Sequence, residues 1–303
     1  MPDLKQIFDE INSVSSPCDT IRQKYIKQFA EYRKRNVIIY YSGWLQTPIS
    51  LPEVSITDND LNGFMTNLHE LDKSKGLDLI LHTPGGSIAA TENIVNYLRD
   101  FFNCNIEVFI PQLAMSAGTM IACSARKIYM GKQSSLGPID PQIYLPNIGQ
   151  VAAFELLEEI ERGIREVQEN PVSQVFWMQI FQKYKPTDVG TCEKAIEWSK
   201  EITTQWLQDC MLQGIKNKEK KACDIIDKII SHKDTKSHSR HLPASKCKEI
   251  GLSIVDLEED KQIQDLVLSI HHACMATLQT DRIVKLIENN VGKTFVTKYY
   301  QQS

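Results

Sequence analysis

Three short segments rich in glycine, proline and other small residues lie between residues 77 and 142, and the first two follow apolar runs. The segments are residues 82–86 (HTPGG), residues 114–119 (AMSAGT) and residues 136–142 (LGPIDPQ). Such residues permit tight turns and let another backbone or a ligand approach closely. If the preceding runs are parallel strands, the turns meet at one edge of a sheet, where α/β proteins build their sites.

The pattern around these segments predicts an α/β domain. Runs of β-branched, aromatic and other apolar residues at 37–44, 77–81, 106–110 and 127–130 predict four strands. Between the strands, apolar residues recur at helical spacing after Thr57 and Asp58, from residue 88 to 103, and in the small-residue stretch 116–125. Strands that alternate with helices in this way predict right-handed β-α-β units.

The rest of the chain has a mostly helical pattern. The first 35 residues predict a helical arm, because Ile21, Ile26 and Phe29 share one face of a charged segment. Residues 150–230 predict a helical insertion, whose tryptophans are typical of core or subunit contacts: Trp177, Trp198 and Trp206. Residues 242–257 bring back a helix and a strand, and we expect two terminal helices, at residues 262–277 and 280–290.

Composition excludes some classes of function. The chain has 303 residues, of which 34 are basic and 38 acidic, and its formal net charge of −4 argues against a dedicated nucleic-acid-binding protein. No run approaches the roughly 20 apolar residues of a membrane-spanning helix, and residues 1–5 carry no apolar core of a signal peptide. We therefore expect a soluble, cytoplasmic protein.

The cysteines and histidines predict neither a disulfide framework nor a metal site. The eight cysteines are scattered singly, without a Cys-x-x-Cys pair, so we expect most of them to be reduced. His272 and Cys274 lie close together but lack a second pair of ligands. A Gly-x-Gly-x-x-Gly turn for a dinucleotide is also absent from the sequence. No metal or cofactor is predicted.

Ser116 is the candidate nucleophile. It follows a strand and begins a helix, so free N–H groups and the helix dipole favour negative charge beside it. The N–H of Ala117 is then a natural donor to an oxyanion, and Gly85 and Gly86 allow a substrate carbonyl to approach their backbone, with the N–H of Gly86 as the second donor. The alternative is that Ser116 only caps the helix and the glycines only form a turn.

Together, the three segments resemble those of the Clp-fold serine peptidases, and in particular the prokaryotic serine dehydrogenase proteinases, relatives of signal peptide peptidase A and of the Clp protease subunit. The resemblance resumes at residues 238–252 and 285–289 and is weak between 150 and 230. It implies a Clp/crotonase-like spiral of β-β-α units at residues 36–258, preceded by the arm at 1–35 and followed by C-terminal helices at 259–303. It also implies that Ser116 is the nucleophile, with Gly86 and Ala117 as the oxyanion hole.

The choice of a general base starts from the positions of the histidines. No histidine occurs between Ser116 and His232, and Asp140 stands where the Clp protease has its histidine. The resemblance therefore implies an inverted order, in which His238, at the later catalytic position, is the base and Asp140 orients it.

A serine-lysine dyad, as in signal peptide peptidase A, is the alternative mechanism, with Lys132 or Lys127 as the base. We interpret His82 as a structural residue at the end of a strand. The substrate is expected to bind in an extended form along the backbone after Gly86 and around Pro138 to Gln142.

The expected function is that of a serine-type endopeptidase, which hydrolyses peptide or protein substrates through an acyl-enzyme and needs no cofactor. We also expect a homo-oligomer, because the arm and the insertion offer more apolar surface than one α/β layer covers. Two alternatives remain open at this point. One is a crotonase-like acyl-CoA hydrolase, and the other is a catalytically silent scaffold with the same fold.

Overall fold

The computed structural model of the chain describes residues 17–47, 51–146, 148–230, 238–280 and 282–299. Its helices are α1 (Pro17–Arg33), α2 (Asp60–Leu68), α3 (Ile88–Phe102), α4 (Ala117–Cys123), α5 (Ala153–Glu169), α6 (Gln174–Phe181), α7 (Pro186–Trp206), α8 (Lys218–Ile230), α9 (Ala244–Ile250) and α10 (Lys261–Thr280). Its strands are β1 (Asn36–Ser42), β2 (Leu77–His82), β3 (Ile106–Ile110), β4 (Leu113–Ala114), β5 (Lys127–Met130), β6 (Ser135–Leu136), β7 (Gln142–Leu145), β8 (Gly149–Ala152), β9 (Leu242–Pro243), β10 (Ile254–Asp256), β11 (Ile283–Asn289) and β12 (Thr294–Lys298).

A seven-stranded sheet forms the centre of the molecule, in the order β10-β5-β3-β2-β1-β11-β12. The five strands from β10 to β1 are parallel, as the alternation of strands and helices predicts, and β11 and β12 are antiparallel additions. Strands buried on both faces need apolar residues on both faces, which explains their nearly continuous apolar sequences.

Helices cover both faces of the sheet. Alternate residues of β1 contribute to two different cores: Ile38 and Tyr40 pack with α2, α3 and α4, whereas Ile39 and Tyr41 pack with α1 and α10. The helical insertion reaches the first of these cores through Trp206, which is buried. The insertion therefore packs directly against the helices that carry the site.

A second, small sheet lies at the carboxyl ends of the parallel strands. It consists of β4, β6 and β9, and an isolated bridge between Thr83 and Ala114 joins it to the end of β2. The segment after β6 leads into the β7–β8 hairpin, and that hairpin leads into α5. The three small-residue segments consequently lie side by side, as their order in the sequence predicts.

The predicted second terminal helix is wrong, because residues 283–289 form strand β11, which pairs antiparallel with β1. A tight turn through Gly292, whose φ is +92°, returns the chain as β12. The run of Ile and Val followed by an Asn-Asn-Val-Gly turn is a hairpin signal that the helical interpretation overlooked. The first terminal helix is confirmed as α10.

Within the predicted arm, residues 17–33 form helix α1, which packs on one face of the sheet, while the first 16 residues lie outside the described part of the chain. In the part of the chain that the structure describes, five cysteines are free, as expected for most of them: Cys123, Cys192, Cys223, Cys247 and Cys274. Cys104 and Cys210 instead form a disulfide, which joins the residue pair after α3 to the turn after α7, within the insertion. Within the described ranges, no helix is long and apolar enough to cross a membrane.

Candidate active site

Ser116 occupies a backbone conformation that is unusual for any residue except glycine. Its φ is +52° and its ψ is −117°, and the N–H of Gly118 donates to the carbonyl of Met115 at 2.8 Å. These values describe a type II′ turn with Ser116 at its first central position, where glycine is strongly preferred. The Ser116 side chain makes no capping hydrogen bond, so the alternative of a simple helix cap lacks its expected contact.

The loop at Gly85 and Gly86 packs against this turn. A Cβ atom added to Gly85 would lie 2.7 Å from the Cβ of Ser116 and 3.0 Å from the nitrogen of Ala117, so the approach requires glycine. Gly85 also has a φ of +99°, which side chains other than glycine rarely adopt. The segment HTPGG therefore lies directly against the turn that exposes Ser116.

Ile56 pairs with Gly86 in an isolated parallel bridge. The N–H of Ile56 donates to the carbonyl of Gly85 at 2.8 Å, and the N–H of Ser87 donates to the carbonyl of Ile56 at 2.9 Å. In such a parallel bridge, the residue whose two neighbours make the hydrogen bonds, here Gly86, directs its own N–H and C=O away from the partner strand. The N–H of Gly86 is thus directed away from Ile56.

The N–H groups of Gly86 and Ala117 have no protein acceptor within the described ranges. Ala117 begins α4, where the first N–H groups of a helix have no partner within it. Thr119 fixes the third segment beside them, because its hydroxyl donates to the carbonyl of Ala114 at 2.9 Å and accepts from the N–H of Gly137 at 3.0 Å. Two free donors therefore lie close to the Ser116 turn.

His238 and Asp140 are joined by a hydrogen bond, although 98 residues separate them in the chain. The Nδ1 atom of His238 lies 2.8 Å from Oδ1 of Asp140. The carboxylate is buried, and its second oxygen accepts a bond of 3.2 Å from Nε2 of Gln142. An ionised carboxylate only accepts hydrogen bonds, so this contact favours the tautomer of His238 that carries its proton on Nδ1.

A cavity of about 600 Å³ brings these groups together. Its wall is formed by three loops and the helical insertion and includes Ser55, Pro84, Gly85, Gly86, Ser87, Ile88, Ala89, Ser116, Met120, Ile139, Pro141, Gln142, Ile143, Gln150, Ala195, Trp198 and His238. Among the described residues of this wall, His238 is the only histidine, and none is an aspartate, glutamate, lysine, arginine or cysteine. Ser116 and His238 thus line the same cavity, away from charged carboxylate and ammonium groups.

Trp198 is a cavity residue that the sequence interpretation missed. The sequence predicts core or subunit contacts for the tryptophans; Trp177 and Trp206 are core residues, whereas Trp198 is 39% exposed and lines the cavity from α7. Its Nε1 atom donates to Oε2 of Glu92 at 3.1 Å. Ala195 and Trp198 are three residues apart and therefore share one face of α7. This spacing is the sequence signal that could have placed both residues at one surface.

The remaining candidates lie elsewhere. Pro138 is buried and is not among the described residues of the cavity wall. The preceding Gly137 is hydrogen-bonded to Thr119, and the segment lines the cavity from Ile139 onward. Lys132 is exposed, and its backbone N–H donates to Glu258 at 3.0 Å. Lys127 is exposed at the amino end of β5. Neither lysine is among the described residues of the cavity wall.

His82 is a buried structural residue, as expected for a histidine at the end of a strand. It packs against the rings of Tyr41, Trp44 and His271, and its Nδ1 atom lies 3.4 Å from the nitrogen of Leu113. Burial, with a smaller contribution from nearby His271, holds the pKa of His82 well below its ordinary value. The side chain is therefore neutral near pH 7.

Comparison with known proteins identifies the family to which this chain belongs. A family described as ClpP-like SDH-type serine proteinase matches residues 17–286. The chain belongs to this family. The fold and the resemblance predicted from the three segments are thereby confirmed, and the family as a whole is one of serine proteinases.

Individual relatives are similar to this chain over only part of their length. An uncharacterised protein of Methanocaldococcus jannaschii is 32% identical over 199 residues, which is 66% of this chain and 59% of that protein. The proteolytic subunit of the ATP-dependent Clp protease of Streptococcus thermophilus is 32% identical over 109 residues, or 35% of this chain and 54% of the subunit. The matches thus span less than two thirds of the length of these curated relatives.

Among solved structures, a variant of a membrane-bound stomatin-specific protease is 18% identical, with a TM-score of 0.40 over 68% of this chain and 77% of that one.

Proposed function

We propose that this protein is a serine-type endopeptidase that hydrolyses peptide bonds through an acyl-enzyme on Ser116. The observation that carries the proposal is the hydrogen bond between His238 and Asp140 at the wall of the cavity that Ser116 also lines. A nucleophile, a base and an orienting carboxylate are the three groups that this chemistry requires.

In the proposed mechanism, Nε2 of His238 takes the proton of the Ser116 hydroxyl, because Nδ1 is occupied by Asp140. The serine oxygen attacks the carbonyl carbon of the scissile bond, and the N–H groups of Gly86 and Ala117 stabilise the oxyanion. The protonated imidazole then returns its proton to the leaving amine. Water hydrolyses the resulting ester by the same sequence of steps.

The substrate is proposed to bind as an extended chain beside Gly86. One edge of this loop is occupied by Ile56, which leaves the N–H and C=O of Gly86 on the side facing away from it. A peptide backbone can bond to that free edge as an added strand. The location of Gln142 and Ile143 in the cavity wall supports a path past the β7–β8 hairpin.

The test compares Ser116→Ala with the wild-type protein in casein cleavage and in labelling by a fluorophosphonate. We expect the variant to lose both reactions and to keep its fold, because the half-buried hydroxyl makes no capping bond. Wild-type cleavage by the variant would show that Ser116 is not the nucleophile. Absence of labelling in the wild-type protein would favour a silent scaffold, and cleavage of an acyl-CoA thioester without casein cleavage would favour the acyl-CoA hydrolase.

A further inference from the structure

Lys285 is a fully buried lysine that the proposed mechanism does not use. Its ammonium group lies 2.7 and 2.8 Å from the two carboxylate oxygens of Asp60, which is also buried. Asp60 accepts two further bonds, of 2.9 Å each, from the hydroxyl of Tyr40 and the N–H of Thr57. Burying an ion pair is costly, so its presence beside a site calls for a specific role.

The third bond of Lys285 indicates that role. Its Nζ atom donates to the backbone carbonyl of Ser55 at 2.7 Å. Ser55 lies in the middle of residues 54–56, a short segment that we call the strut, and its carbonyl is fixed next to Ile56. On the other side of Ser55, the hydroxyl of Ser42 donates to the carbonyl of Val54 at 2.6 Å.

The strut is hydrogen-bonded to the loop that carries the proposed oxyanion donor and lies in close contact with it. Ile56 is bonded to the residues on both sides of Gly86, and a Cβ added to Gly86 would lie 2.3 Å from the nitrogen of Ile56. A shift of the strut therefore shifts Gly86. Donors to an oxyanion must lie within a few tenths of an ångström of their optimum to be effective.

We propose that Lys285, held by Asp60, is a positioning residue that fixes the strut and thereby aims the N–H of Gly86 at the oxyanion. This inference rests on the proposed function. It assigns a role in the chemistry to a residue that contacts neither the substrate nor Ser116. Burial is the main influence on the Lys285 ammonium and lowers its pKa, while the facing carboxylate of Asp60 opposes that shift.

The test uses Lys285→Met, which removes the charge and the donor but keeps a long apolar side chain. We expect kcat for a peptide ester to fall about tenfold to a hundredfold, less than the 10²–10³ for complete loss of one oxyanion donor. KM should change less than kcat, because only the Gly86 edge of the proposed substrate path moves, while the cavity wall at Gln142 and Ile143 stays in place. A peptide boronate, which forms a tetrahedral adduct with the serine, should lose affinity by the same factor as kcat, whereas the matching peptide amide should not.

The double variant Asp60→Asn with Lys285→Met separates positioning from the cost of an unpaired charge. The double variant leaves no buried charge without a partner, and the new amide oxygen can still accept from Tyr40 or Thr57, so it should fold even where the single variant does not. Because it still lacks the bond to Ser55, we expect it to keep the low kcat. Recovery of wild-type kcat in the double variant would overturn the inference, as would wild-type kcat in the single variant.

Two controls complete the design. Lys293→Met removes an exposed lysine that lies 3.1 Å from Glu70 near the turn of the β11–β12 hairpin, and it should leave kcat unchanged. Ser116→Ala in the same assay distinguishes failure of the positioning role from failure of the proposed function. If that variant is inactive while Lys285→Met is fully active, only the positioning role fails; if Ser116→Ala is fully active, the proposed function itself fails.

Discussion

Replacement of Ser116 by glycine is expected to stabilise the folded protein while it abolishes hydrolysis. Ser116 has φ and ψ of +52° and −117° at the first central position of a type II′ turn. A side chain in such a sparsely populated region costs about 1–3 kcal/mol. Glycine removes that cost, whereas Ser116→Ala retains the Cβ atom and therefore retains it.

The size of the effect follows from two opposing contributions. Relief of the backbone strain favours the glycine variant by about 1–3 kcal/mol. The greater freedom of glycine in the unfolded chain opposes it by roughly 0.4–1 kcal/mol. Little packing is lost, because Ser116 is half-buried and is faced by Gly85. We therefore expect Ser116→Gly to exceed Ser116→Ala in free energy of unfolding by about 1 kcal/mol.

Urea unfolding at one fixed protein concentration measures this difference, because any oligomer makes apparent stability depend on concentration. Ala117→Gly is the matched control: it lies one residue later, in the first turn of α4, and should lose about 1 kcal/mol, the ordinary cost of glycine in a helix. If Ser116→Gly is less stable than Ser116→Ala by a similar amount, the serine is not strained and the reasoning is refuted.

Three further outcomes are expected. His238→Ala and Asp140→Asn should each slow hydrolysis of a peptide ester by about 10²–10⁴, and adding Ser116→Ala should cost little more, since the groups act as one unit; full activity in His238→Ala would contradict this. Burial lowers the pKa of His271 to about 3 and that of His82 well below its usual range. As the pH falls below ~6.5, the two imidazoles therefore bind protons in the unfolded chain while they stay neutral in the folded protein, so the free energy of unfolding decreases. His271→Gln should reduce that loss between pH 6.5 and 5 by about 2 kcal/mol in urea titrations, and an unchanged pH profile would exclude this cause. Sedimentation at micromolar concentration should show a homo-oligomer, and a single species at 34.6 kDa would disprove it.

The parallel part of the fold could be predicted because its sequence signals are local and agree with one another. Strand β3, for instance, occupies residues 106–110 in both the prediction and the structure. The glycines of residues 82–86 and the small residues around Ser116 also gave the location of the turns. Local patterns place each loop at the end of its strand, and the topology of parallel strands then brings those ends together.

The pairing of Asp140 with His238 could be anticipated only through the resemblance to a family. Neither residue stands out by composition, since Asp140 lies in a proline-rich turn and His238 in a stretch of lysine, serine and histidine. The contact depends on how the loop before β9 packs against the segment after β6, and β6 and β9 are neighbours only in three dimensions. No periodicity of the sequence carries that information.

Strand β11 shows most clearly why a buried charge misleads a prediction from sequence. Lys285 and Glu288 are three residues apart, which is typical of the polar face of an exposed helix. In the structure they are on opposite faces of a fully buried strand, where Lys285 bonds to Asp60 and Glu288 to Arg22 of α1. These partners precede them in the chain by 225 and 266 residues. A charged residue at a buried position is tolerated only because its partner is present. Its placement is therefore decided by that partner, and a local pattern that treats every charge as exposed will assign such a strand to the surface.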